Sequence, residues 1–197
     1  MQPPSSNHST PSVPRYRRWA AHLALVVACI GSVATSVASP AVVSEYEGPP
    51  LHLTTQAPTT TRHLKVRLTS EEYSFNLAEV SLTAQLTVRW KPTDPNRTEK
   101  PRFLMRLYVQ PDHYGADVAE VLVLEEPGQP MTLQTYRYMS PECKPEQDCE
   151  WTIPMELELQ PNAAEGSVDV EWKVTAEASA KGTSTLPKGF TVHVSEQ

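Results

Sequence analysis

From Val80 to Trp90 every even position is apolar (Val80, Leu82, Ala84, Leu86, Val88, Trp90), and every odd position from Ser81 to Lys91 is polar or charged. Successive side chains of a strand point to opposite faces. Strict alternation over this length therefore predicts a strand with one face in the core and one in water. The pattern recurs. Trp151, Ile153, Met155, Leu157 and Leu159 alternate with Thr152, Pro154, Glu156 and Glu158. Val168, Val170, Trp172, Val174, Ala176 and Ala178 alternate with Asp169, Glu171, Lys173, Thr175 and Glu177. Shorter stripes run through Leu64–Leu68, Phe103–Val109 and Phe190–Val194, and the less regular Val118–Leu124 and Met131–Met139 also suit strands. After Ala38 no apolar stripe of helical period persists for ten residues.

Turn signals separate these runs: Pro92–Pro101, Pro111–Gly115, Glu126–Pro130, Ser140–Asp148, Pro161–Gly166 and Gly182–Gly189. About eight strands with one-sided burial predict an all-β, antiparallel two-sheet sandwich. An immunoglobulin-like arrangement is favoured, with Val80–Trp90 facing Val168–Ala178 across the core, Trp90 and Trp172 at its centre, and Arg89 and Lys173 solvated. A jelly roll or open barrel has the same periodicity. Residues 39–61 hold Pro40, Pro49, Pro50 and Pro58 and the run Thr59-Thr60-Thr61. Such composition predicts an extended Thr/Pro-rich linker, to which Leu51-His52-Leu53 adds at most a short edge strand. The sandwich domain is then 62–197.

The N-terminus changes where this domain is expected to work. Arg15, Arg17 and Arg18 precede the uncharged stretch Trp19–Val33, and small residues follow through Ala38. A basic region, an apolar region and a small-residue exit make residues 1–38 a secretory signal, with cleavage after Ser36-Val37-Ala38. Two other fates fit the same segment. Val26-Val27-Ala28-Cys29 resembles a lipobox that would lipidate Cys29, although the residues after it stay apolar. Uncleaved, Trp19–Val37 would form a helix of about 28 Å, near the thickness of a bilayer core. The expected location is secreted or periplasmic, at the cell envelope, with membrane contact only through this segment.

Residues 1–38 carry three arginines and no acid. The 17 basic and 23 acidic residues of the chain therefore become 14 against 23 in the remainder, a net charge of −9 rather than −6. Such a surface repels nucleic acid and anionic lipid. Of three cysteines, only Cys143 and Cys149 lie outside the signal. In an oxidising compartment they are expected to bridge each other and close a seven-residue loop worth about 2 kcal/mol.

Chemistry-bearing motifs are sparse. There is no HExxH, CxxC, Gly-rich phosphate loop or Gly-x-Ser-x-Gly elbow, and the chain has only seven glycines. No catalytic, cofactor or metal residue is assigned. Asn96-Arg97-Thr98 fits an N-glycosylation acceptor. The expected function is an exported, non-catalytic binding domain whose partner is a protein or a glycan. Its candidate contacts are Asn96, Arg97 and Lys100 in one loop, His113 and Tyr114 in another, and Lys144 and Glu146 in the disulfide loop. The alternatives are a structural envelope protein, a carbohydrate-binding module if Trp90 and Trp172 face solvent, and an accessory domain of a secreted hydrolase.

Overall fold

In the computed structural model the described residues are 40–72, 76–96, 100–108, 119–139, 143, 148–160 and 165–197. The alternating runs are strands, and among these residues there is no helix. In chain order the strands are β1 (Ala41–Glu47), β2 (Leu51–Thr54), β3 (Thr59–Thr69), β4 (Leu77–Pro92), β5 (Arg102–Leu107), β6 (Ala119–Val123), β7 (Pro130–Tyr138), β8 (Cys149–Gln160), β9 (Gly166–Lys181) and β10 (Thr191–Glu196). They form two antiparallel sheets. Sheet A runs β1-β9-β4-β7, with β2 also on β9, and sheet B runs β10-β3-β8-β5-β6.

The order within the sheets corrects the immunoglobulin-like expectation. β1 and β2 pair with β9, β3 with β8, β4 with β7, and β5 with β6. These pairings nest inside one another, as in one long hairpin rolled up on itself, and successive strands mostly switch sheets. That is the topology of a jelly roll, with β10 added at the edge of sheet B. Nor do β4 and β9 face each other across the core. They are hydrogen-bonded neighbours in sheet A, in register from Leu77↔Lys181 to Pro92↔Gly166. Alternation reports which face of a strand is buried, and a same-sheet neighbour and a facing strand satisfy it equally well.

The linker expectation is also corrected. Residues 41–54 are the edge of sheet A, and the domain begins at the start of β1 rather than at 62. Val42 and Tyr46 pack on the core, and Leu51 and Leu53 are buried. Gly48-Pro49-Pro50 breaks what would be one edge strand in two, because proline has no N–H to give the ladder. The break seats Trp172: its indole Nε1 donates to the Pro49 carbonyl at 3.0 Å, and a methyl group at Gly48 would collide with its ring.

The core lies between the sheets. Leu82, Leu86, Val88 and Trp90 of β4, with Val170 and Trp172 of β9, meet Leu64, Val66, Phe103, Met105, Ile153 and Met155 of sheet B, all buried. One side of the sandwich is closed where β1 meets β10. There the Tyr46 hydroxyl donates to Glu196 at 3.1 Å, and Arg62 donates to the same carboxylate at 3.3 Å. Partial burial first, and Glu196 second, hold the Tyr46 phenol above its ordinary pKa. On the other side β6 and β7, joined through a turn with Gly128 at φ 77°, form the outer edges of the two sheets.

Trp90 and Trp172 are 3% and 2% exposed. Replacing either by alanine is expected to cost about 3–5 kcal/mol in a denaturant melt. Lys173→Ala, on the solvent face of the same strand, should cost under about 0.5 kcal/mol. The reverse ordering would mean that sheet A is inside out.

Candidate binding face

Two of the three loops expected to make contacts are anchored at opposite ends of β4. Residues 92–101 leave the C-terminal end of β4, where the Thr93 amide donates to Glu165 at 2.9 Å. Cys143 pairs with Ala78 at the start of the same strand. Sixteen strand residues at about 3.3 Å each put roughly 50 Å between these two anchor points. Cys143 and Cys149 form the expected disulfide, with Cα atoms 5.8 Å apart. Asn96 sits in a turn held by Asp94, whose Oδ1 accepts from the Asn96 amide at 3.0 Å and from its side chain at 3.3 Å. Lys100 precedes β5. Arg97, His113, Tyr114, Lys144, Glu146 and Cys29 lie outside the described residues.

The outer faces of the sheets differ in how their charges are used. On sheet B, Lys65 pairs with Glu150 at 2.7 Å and Arg67 with Asp148 at 3.0 Å. Arg106 sits 3.3 Å from both Glu156 and Glu158, and the Tyr108 hydroxyl donates to Glu156 at 2.7 Å. The hydrogen bond that Arg106 donates to Glu156 holds its guanidinium above its ordinary pKa. The Gly166 end of sheet A is treated likewise. Arg89 pairs with Glu171 at 2.7 Å, and Asp169 binds both Lys91 and His52. Most of the charge on those faces is internally compensated.

The Cys143 end of sheet A is different. Cross-strand register lines up Val43, Glu177, Ser81 and Tyr138 in one row, and Glu45, Thr175, Thr83 and Tyr136 in the next. Tyr136 and Tyr138 stand on the solvent side of β7, 47% and 64% exposed. Their ring centroids are 4.9 Å apart and their planes 84° from each other, so they make a corner rather than a stack. With Glu79, Ser81, Glu177 and Ser179 they line a shallow depression of about 140 Å³. That is well below the roughly 300–1,000 Å³ of enclosed small-molecule sites, so it suits a group laid on the surface.

Ser81, only 9% exposed, lies in the floor of this depression. Glu79 is paired with Lys181 at 3.0 Å, whereas Glu45 and Glu177 make no ion pair among the described residues. Partial desolvation first, and its hydrogen bond with Tyr138 second, hold the Tyr136 phenol above the ordinary tyrosine value.

Reading the sequence by loops missed this corner. The usable signal was Tyr136-Arg137-Tyr138, two aromatics two apart on the polar phase of a strand. No protein-family model matches the chain, and no curated protein sequence matches it.

Asp169 supplies a pH test of the opposite end of this face. The Lys91 ammonium first, and His52 second, hold its carboxyl below its ordinary pKa. A depressed carboxyl contributes stability that is complete above the unfolded value and lost as pH falls through the folded one. Denaturant midpoints should therefore drop on going from pH 5 to pH 2, and less steeply in Asp169→Asn. Parallel curves for the two proteins would remove this pair from the account.

Proposed function

We propose that the chain is an exported, non-catalytic binding domain, and that it binds through the tyrosine end of the outer face of sheet A. The observation that carries this reading is the aromatic corner. Two large rings are held in water on a sheet edge, beside the Glu177 carboxylate, which has no ion pair among the described residues, and a nearly buried hydroxyl. Exposed tyrosine on a rigid strand brings contact area at little entropic cost, which is why such residues recur in binding surfaces. The disulfide suits an oxidising compartment. Removal of residues 1–38 would spare every described strand, since β1 starts at Ala41. A second reading, structural packing against an envelope neighbour, draws on Val121 and Val123. These are 49% and 40% exposed on β6, the outer edge strand of sheet B.

Export is tested by the mass of the protein recovered outside the cytoplasm. Loss of the first 38 residues is expected. A lipid adduct on Cys29, or a full-length membrane-bound product, would replace cleavage by the corresponding anchored form.

The face is tested by tyrosine nitration, with and without the producing cell's own envelope fraction. Tyr136 and Tyr138 should be modified in the purified protein and protected in the mixture. Unchanged nitration would overturn the face. Protection of amides around Val121 and Val123 in hydrogen exchange instead would favour the structural reading.

A further inference from the structure

We infer that the tyrosine corner is a saccharide site, and that its ligand is a neutral glycan of several rings laid along β4. This rests on the binding face proposed above and adds its ligand class. A sugar ring presents an apolar C–H face and a rim of hydroxyls that both donate and accept. The corner supplies the counterpart of each. One tyrosine ring can lie under the C–H face while the other, 84° to it, forms a wall. Around them the Glu177 carboxylate accepts, and the hydroxyls of Ser81, Ser179 and the tyrosines themselves both donate and accept.

The extent of the face argues for a chain of sugars rather than one. Beyond the corner the solvent side of β4 continues as Thr83, Gln85 and Thr87, beside Gln134 and Thr132 of β7. A second depression lies on this side, lined by Glu47, Gln85, Thr87, Glu171, Trp172 and Lys173. It is four to six strand residues from Ser81, about 13–20 Å away. Hydroxyl and amide side chains along that interval suit a polyhydroxyl ligand.

The charges narrow the class. Glu45 and Glu177, on a domain of net charge −9, repel anionic glycans. Two perpendicular rings beside carboxylates would also attract a cation. However, Glu79 is already neutralised by Lys181, and a point charge has no use for the polar track beyond the corner.

Affinity electrophoresis of the exported protein through soluble β-glucan, mannan and galactomannan tests this, with alginate as the anionic control. At least one neutral polysaccharide should retard the wild type, and about 0.5 M NaCl should leave the retardation unchanged. Tyr136→Ala and Tyr138→Ala should each bind about tenfold more weakly or worse, with melts like the wild type. Tyr138→Phe, which keeps the ring, and Glu177→Gln, which keeps an acceptor, should stay within about threefold of the wild type.

Equal retardation of Tyr138→Ala and wild type would overturn the site. Loss of binding in Glu177→Gln and in salt, with displacement by tetramethylammonium, would replace the glycan by a cationic ligand. If no neutral polysaccharide binds while envelope still protects both tyrosines from nitration, the glycan inference fails and the binding face stands. If protection is absent as well, both fall.

Discussion

The sixteen-residue ladder between β4 and β9 is the constraint on which the rest of this domain depends. The two strands run antiparallel and in register from Leu77↔Lys181 to Pro92↔Gly166, without an interruption. Every second residue of each therefore commits to the same side. A slip of one residue would turn Trp172 and its stripe into water and bring Glu171 and Lys173 inward, so burial of the stripe fixes the phase. Because β4 also carries β7 and β9 carries β1 and β2, the ladder sets the phase of all of sheet A. Its inner half is one wall of the core. Its outer half is the surface on which the tyrosines stand, placed by the pairings Ser81↔Tyr138 and Thr83↔Tyr136.

The two sheets use their polar groups differently. Sheet B pairs Lys65, Arg67 and Arg106 with carboxylates on the neighbouring β8 or just before it. Exposed cross-strand pairs of this kind contribute little each, but they leave the face electrically quiet. Sheet A is quiet only toward Gly166. At its other end apolar surface, hydroxyls and unspent carboxylate charge coincide within two cross-strand rows.

Where the sequence was informative, the reason was periodicity. β4, β8 and β9 could be read almost residue by residue, because burial on one face imposes a period of two on the chain. β1 and β2 were misread because Pro49, Pro50 and the threonine run satisfy the composition of a spacer. Only Val42, Tyr46, Leu51 and Leu53 argue otherwise, and their partner β9 is far away in sequence. Strand neighbours were out of reach for a similar reason: alternation fixes which way a side chain points and says nothing of what lies beside it. The tyrosine corner was hidden by β7 itself. Its inward phase includes Thr135 and Arg137, which blurs the alternation that would have marked Tyr136 and Tyr138 as facing water.

The nested pairing has a consequence for the chain in time. Its outermost pair joins Ala41 to Ser179, residues 138 positions apart. Sheet A cannot be completed until β9 has left the ribosome, and β1 and β2 wait for it although they emerge earlier. Such high contact order makes folding slow, because loop-closure entropy must be met before the distant contacts repay it. A chain with this topology keeps β1 and β2 without their strand partner until β9 has been made.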